Sequence, residues 1–182
     1  AAAVFDPDTG ARLGANREGL LKIKGPNIML GYLNQPQKTA ELITDGWYNS
    51  GDMAVIDDDG FIRITGRMSR FSKIGGEMVP HILVEQAIAK VLEEDATEET
   101  EIMCAVTSVA DPKKGERLIV LHKPMQKTAR EITDRLQAAG LPNLFIPSND
   151  SFIEVDRIPL LGTGKLDLRG VKQLALEKTA GG

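Results

Sequence analysis

Cysteine is nearly absent from this chain, Cys104 being the only one. That excludes an internal disulfide and any metal site built on several thiolates. Cys104 sits in the apolar run Ile102-Met103-Cys104-Ala105-Val106, which reads as a buried structural thiol and not a nucleophile. His81 and His122 are the only histidines and lack zinc-ligand spacing, so no metal centre is expected. Aromatic residues make up 4% of the chain, too few for the stacking platforms that hold single-stranded nucleic acid. A net charge of -4 supplies no basic field for DNA or RNA. No apolar run is long enough to span a bilayer. Ala1-Ala2-Ala3-Val4-Phe5 has neither the charged leader nor the length of a signal peptide. It reads as a domain edge, and a cytoplasmic setting is expected.

What is present is a globular composition, 42% hydrophobic and 26% charged over 182 residues, enough for one domain or a small pair. The first third reads as strands and turns. Asp6-Pro7-Asp8-Thr9-Gly10 is a turn cluster, and Gly19 to Lys24 is a strand closed by Gly25-Pro26. Thr39 to Leu42 fits one helical turn, and Asp45 to Asp52 reads as a polar loop with aromatic anchors. Met53–Ile56 and Phe61–Thr65 alternate around Asp57-Asp58-Asp59-Gly60, a hairpin. Gly66-Arg67-Met68-Ser69-Arg70 breaks the pattern and places a domain boundary between residues 66 and 67.

Beyond it, Phe71–Lys73 and Glu77–Val79 pair about Gly75-Gly76, and Pro80 suits a helix first turn. Val84, Ala87, Ile88, Val91 and Leu92 form an apolar stripe at helical spacing. The acidic run Glu93 to Glu101 reads as a solvated helix end and loop. Ile102–Val109 and Leu118–His122 are strands around an Asp111–Gly115 turn. Thr128 and Glu131 form a capping box for a helix that ends at Gly140. Leu141-Pro142 and Ile146-Pro147 predict an extended crossing, Phe152–Val155 a last strand, and Val171, Leu174 and Ala175 the inner face of a terminal helix. The predicted class is α+β: a small β-rich subdomain (1–66), then an α/β domain (67–182) with a short hairpin and a three-stranded sheet flanked by helices.

Between that strand and helix lies Pro159-Leu160-Leu161-Gly162-Thr163-Gly164-Lys165-Leu166-Asp167. Pro159, Gly162 and Gly164 keep the loop free of regular structure, and Asp167 offers an N-cap directly after it. A lysine held on such a loop suits a phosphate or a developing negative charge. A turn carrying a solvated lysine would look the same.

Gly51-Asp52, Gly66-Arg67, Lys73-Ile74-Gly75-Gly76-Glu77 and Gly162-Thr163-Gly164-Lys165 occur in that order, behind Glu18 to Pro26 and Gly31-Tyr32. The set resembles the C-terminal part of the adenylate-forming superfamily, over essentially the whole chain. Phe71 to Val79 and Ile158 to Lys165 are similar to the acyl-ACP synthetase half of bacterial 2-acylglycerophosphoethanolamine acyltransferases. General acyl-CoA ligases carry a basic residue where this chain has Leu160.

The resemblance implies an ATP- and Mg2+-dependent ligase that makes an acyl-adenylate from a fatty acid. It then transfers the acyl group to a pantetheine thiol on CoA or an acyl carrier protein, the small domain turning about a hinge between steps. By the same resemblance, Asp52 binds the ribose hydroxyls, Arg67 bridges ribose and phosphate, and Lys165 serves adenylation. Lys73 faces the site in the second conformation, Gly75 and Gly76 line the pantetheine tunnel, and Ser69 is the hinge. Ser69 replaces the usual Asp or Lys, and Arg70 stands where many relatives have an acid. The family's phosphate loop and adenine-binding segment do not occur here. The chain is therefore expected to be an inactive C-terminal fragment whose partner is the missing N-terminal adenylation domain, with no tightly bound cofactor. In a parent fused to a lysophospholipid acyltransferase, that other half would bring the protein to the cytoplasmic face of the bacterial inner membrane. Two other readings stay open: a non-catalytic docking module for carrier protein or CoA, and an unrelated phosphate-binding regulatory domain. Lys113, Lys114 and Arg117 fit either a face for an acidic carrier or a solvated turn.

Overall fold

A computed structural model describes residues 1–93 and 102–180. The chain divides into two compact units, Ala1–Ser69 and Arg70–Gly182, a division three residues beyond the one placed from sequence. Of the acidic run Glu93 to Glu101, only Glu93 falls inside the described residues.

The first unit is one antiparallel sheet. Strand β1 (Ala2–Phe5) pairs β2 (Glu18–Ile23). Helix α1 (Pro36–Leu42) and the short β3 (Ile43–Thr44) lead into β4 (Trp47–Ile56). The helix starts three residues before the expected turn because Pro36 sits in its first turn, where a missing N–H costs nothing. Strand β4 pairs β2, β3 and β5 (Ile62–Arg67). Alternation buries Val4, Leu21 and Ala54 together, and also Ala3, Leu20 and Met53. The expected hairpin turn is present: Asp57 Oδ1 accepts the N–H groups of Asp59 and Phe61 at 3.1 and 2.8 Å.

The residues read as a polar loop turn out to be strand from Trp47 onward. Leu20 faces Met53 while Lys22 faces Asn49, so two steps along β2 match four along β4. The surplus forms a bulge at Ser50-Gly51. Its polar side chains replace the ladder: Asn49 Oδ1 accepts Gly51 N–H at 2.9 Å, and Ser50 Oγ donates to the Leu21 carbonyl at 2.8 Å. Polarity at these positions marks a bulged strand here, not a loop.

The 3-10 turn Met68–Arg70 carries the unit boundary, and the second unit begins at its last residue. Its sheet contains β6 (Phe71–Ile74), β7 (Glu77–Pro80), β8 (Cys104–Asp111), β9 (Gly115–His122) and β10 (Phe152–Glu154). Strand β8 runs antiparallel along one side of β9. The other side is shared by β10, parallel to residues 120–122, and by β6, bridged through Ile74 and Gly115. The hairpin is thus part of a five-stranded sheet, because β9 has edge left over beyond β10. Pro80 ends β7, and helix α2 (His81–Glu93) starts one residue later.

The period-two pattern of β8 and β9 feeds two cores. Val106, Leu118 and Val120 pack with Val84 and Ile88 of α2 and with Ile132 and Leu136 of helix α3 (Ala129–Ala138). Ala105, Val109, Ile119 and Leu121 pack with Val171 and Ala175 of helix α4 (Leu168–Ala180). The Thr128–Glu131 capping box forms as read from sequence. The extended crossing does not persist, since 3-10 turns occupy Asn143–Phe145 and Asn149–Ser151. Proline fixes extended geometry at Pro142 (ψ 140), but leaves Asn143 and Asn149 free to turn.

Among the described residues, strand β8 pairs on one side alone, and charged side chains cover its other side. Glu85 Oε1 accepts the Val106 N–H at 2.7 Å, and Lys172 Nζ donates to the Ser108 carbonyl at 2.7 Å. Arg70, buried, pairs with the second oxygen of Glu85. Beside it, Ser72 Oγ and His81 Nε2 lie 2.5 Å apart, both buried. Cys104 is buried as expected, and its thiol is pushed up to about 12 by burial and then by the charge of Glu85.

Burial, reinforced by the charges of Arg70 and Lys172, drives the His81 imidazole down to about 3. The ring is neutral in the fold but takes up a proton in the unfolded chain below about 6.5. Stability should therefore fall on acidification through the window from 6.5 towards 3. One proton contributes roughly 1.5 kcal/mol between pH 6.5 and pH 5. Urea midpoints over this range measure the slope, and His81→Phe should flatten it; an unchanged slope would assign the effect elsewhere.

Candidate functional site

In the first unit the structure brings Asp52 and Arg67 together as directly opposed residues on β4 and β5. Arg67 Nε donates to Asp52 Oδ1 at 2.8 Å, and Arg67 Nη1 to the Ser50 carbonyl at 3.1 Å. Asp52 is 22% and Arg67 62% exposed, so the pair adds little to stability. Its effect is orientation. The bulge takes Asp52 out of the β2–β4 ladder while it stays paired with Arg67, Ser50 Oγ accepts the Asp52 N–H at 3.0 Å, and the Ser50 carbonyl holds the guanidinium. Gly51 takes φ +74, and a Cβ there would reach within 3.7 Å of Arg67 Nη1.

Two tyrosines not singled out as site residues adjoin this pair. The hydroxyls of Tyr32 and Tyr48 lie 3.3 Å apart. The Tyr48 phenol is raised above its ordinary value by that hydrogen bond, then by slight burial, with the Asp52 carboxylate adding to the shift and Arg67 opposing it. The available signal is Gly31-Tyr32, which enters only through the ordered motif set, and Trp47-Tyr48, which reads as aromatic anchors. The result is a rim where carboxylate, guanidinium and phenol stand together, a set of directed hydrogen-bonding groups of the kind that suits a polar ligand.

In the second unit, Lys73, Gly75 and Gly76 occupy one hairpin and Lys165 another loop. Lys73 is exposed between buried Ser72 and Ile74. Gly75 and Gly76 have φ +60 and +92, the backbone of a two-residue turn positive at both central positions. A Cβ on Gly76 would meet nothing within 4 Å, and one on Gly75 only Leu144 at 3.8 Å. Turn geometry alone therefore accounts for both glycines.

The Lys165 loop is more regular than predicted. Leu160 and Leu166 form an antiparallel bridge. Leu161 N–H donates to the Lys165 carbonyl at 2.7 Å, and Asp167 N–H to the Pro159 carbonyl at 3.0 Å. Buried Ile158 and half-buried Leu166 anchor its ends in the α4 core. Asp167 caps α4 as expected, Oδ1 accepting the N–H groups of Arg169 and Gly170 at 3.1 Å each. A Cβ on Gly170 would fall 2.9 Å from Pro159 Cβ, so this glycine lets the helix approach the loop. The main chain of Lys165 is fixed while its side chain is exposed. Ser69 lies exposed in the 3-10 turn, the last residue of the first unit.

Lys113 and Lys114 stand exposed in the expected turn, their N–H groups both donating to Asp111 Oδ1 at 2.8 Å. These bonds hold the Asp111 carboxyl below its ordinary range. Arg117 is 3.7 Å from Asp150. Among the described residues, no group of three or more His, Cys, Asp or Glu could hold a metal ion, and no helix is long and apolar enough to cross a membrane.

No family model matches the chain. It is 33% identical over 185 residues to luciferin 4-monooxygenase of Photinus pyralis, covering 100% of this chain and 32% of that protein. With 4-hydroxybutyrate–CoA ligase 2 of Metallosphaera sedula, identity is 34% over 155 residues, covering 81% and 26%. The solved structure of ATP-bound MatB from Rhodopseudomonas palustris matches with a TM-score of 0.71 at 26% identity, covering 98% of this chain and 34% of that one. The chain spans about a third of the length of the relatives it matches.

If turn geometry sets the demand at the hairpin, Gly76→Ala should destabilise the protein by about 1–2 kcal/mol, through backbone strain alone. Gly75→Asn should cost distinctly less, because asparagine tolerates a φ near +60. Chemical denaturation of both variants decides this, and equal costs would point to a steric constraint.

Proposed function

We propose that the chain is the C-terminal region of a member of the adenylate-forming, acyl-CoA synthetase superfamily and serves an ATP-dependent acid–thiol ligase. In the first half-reaction a carboxylate oxygen attacks the α-phosphorus of ATP, giving an acyl-adenylate and releasing pyrophosphate. In the second, a pantetheine thiolate attacks the acyl carbon, forming a thioester and expelling AMP.

The observation that carries this reading is the pairing of Asp52 and Arg67 on a bulged strand. A carboxylate that accepts two hydrogen bonds suits a vicinal diol, and the adjacent guanidinium can reach ribose and phosphate together. Lys165, on a loop closed at both ends, offsets the charge gathering on phosphorus as the adenylate forms. The hairpin of Lys73, Gly75 and Gly76 receives the pantetheine arm in the second half-reaction, when the unit beginning at Arg70 has turned about Ser69. Relatives named as CoA ligases, and one solved with ATP bound, support this assignment. Magnesium would accompany the nucleotide. The described residues offer it no ready carboxylate cluster, and the roles given to these side chains do not pass through it.

The thiol is assigned to an acyl carrier protein and the acid to a fatty acid. Leu160 supports this, since by the resemblance it stands where general CoA ligases carry a base; it and Leu161, each 49% exposed, present an apolar surface beside Lys165. Fusion to a lysophospholipid acyltransferase goes with the same branch, and CoA as acceptor is the competing outcome. The isolated chain is inactive, as residues upstream of it would hold adenine and the triphosphate; pyrophosphate release by this chain alone would contradict that.

In the full-length protein, Lys165→Ala should slow adenylate formation by about 10²–10³, measured as pyrophosphate release, and spare thioester formation from supplied acyl-adenylate. Gly76→Trp should do the reverse. Equal losses in both half-reactions for either variant would sink the two-conformation assignment.

A further inference from the structure

The hairpin carrying Lys73 and Gly75–Gly76 meets the rest of its sheet through very little backbone. Its only register pair with β9 is Ile74 with Gly115. Gly75 N–H donates to the Lys114 carbonyl at 2.9 Å. On the other side of that bridge, the Lys73 N–H finds a side chain instead of a carbonyl: Glu116 Oε2 accepts it at 2.7 Å. The other oxygen, Glu116 Oε1, accepts the Ser108 hydroxyl at 2.7 Å. Ser108 is itself held from α4, where Lys172 Nζ lies 2.7 Å from its carbonyl and 3.4 Å from its Oγ. A continuous chain of contacts therefore runs from α4, through Ser108 and Glu116, to the main chain of Lys73.

We propose that Glu116 is a positioning residue for the thioester-forming step, resting on the ligase reading above. Its carboxylate fixes the Lys73 main chain, and with it the register and tilt of the Gly75–Gly76 turn. The Ile74 bridge and the Gly75 hydrogen bond hold the hairpin at its turn end. The Glu116 attachment lies on the other side of the bridge, three residues before Gly76, and fixes the tilt about it. Charge suits the task, because an ionised carboxylate accepts an amide hydrogen bond more strongly than a neutral oxygen does. Half-burial of Glu116 limits competition from water. Glu116 touches no reacting atom and acts through the hairpin.

Two measurements test this. In the chain itself, Glu116→Ala should speed amide hydrogen exchange at Lys73 by about tenfold or more, as loss of a hydrogen bond to a charged group does. Amides of α3, remote from the contact, report whether the fold is intact. Ser108→Ala leaves Oε2 on Lys73 and should change that rate by about twofold at most, while Glu116→Gln, with one carbonyl oxygen to offer, should recover much of the loss. In the full-length protein, Glu116→Ala should slow thioester formation from supplied acyl-adenylate at least about tenfold more than adenylate formation, with Glu116→Gln between it and wild type. Unchanged exchange at Lys73, equal effects of Ser108→Ala and Glu116→Ala, or equal loss in both half-reactions would each overturn the proposal. A wild-type protein that makes no adenylate refutes the ligase reading itself, and exchange at Lys73 then decides alone whether Glu116 holds the hairpin.

Discussion

The second unit depends on a buried ion pair at the point where it begins. Arg70 and Glu85 are 8% and 15% exposed in their side chains, and Glu85 spends its other oxygen on the open edge of β8. Losing one partner of such a pair typically costs about 3–5 kcal/mol, because the survivor is left charged and unsatisfied. Arg70 Nη1 is already buried without a hydrogen-bond partner among the described residues, so the site carries some of that cost in the native state. What it obtains is connection. The pair ties the first residue of the unit to helix α2 and to the sheet edge at once. Ser69, immediately before it, is exposed while Arg70 is buried, so the chain passes from loose to held within one peptide bond. Arg70 thus has a structural account in the Glu85 carboxylate.

Much of the architecture was legible because the local chemistry was unambiguous. The Asp57–Gly60 turn, the Thr128–Glu131 box and the Asp167 cap each rest on side chains that bond their own backbone within four residues, and such signals need no knowledge of distant packing. What escaped was set at longer range. The bulge at Ser50-Gly51 depends on β2 lying alongside, since the Leu21 carbonyl receives the Ser50 hydroxyl. Joining of the hairpin to β9 depends on β10 being short, and no local pattern records that. The 3-10 turns after Pro142 and Pro147 were lost behind the prolines themselves, whose influence is strong but confined to one or two residues.

The candidate site was legible as residue types in order, not as an arrangement. Asp52 and Arg67 lie fifteen positions apart and meet only because β4 and β5 pair in a register that opposes them. Their neighbours Tyr32 and Tyr48 were visible as aromatics, but a hydroxyl pair has no sequence signature. Conversely, the two hairpin glycines carried less information than their motif implies. A two-residue turn with positive φ at both positions demands them whatever the hairpin does, so their presence fits a ligand-binding loop without establishing one.

The bulge in β4 has a consequence of parity. Two residues are inserted relative to β2, between Asn49 and Met53, and an even surplus restores the inside–outside alternation beyond it. Met53 and Ala54 can therefore meet the same faces that Trp47 and Tyr48 meet on the other side. A one-residue deletion in Asn49–Asp52 would exchange those faces and force Met53 into the layer that the smaller Ala54 fills beside Val4 and Leu21, whereas removal of two would flatten the strand and keep every face. Length variation in this segment among proteins of this fold should therefore come in steps of two.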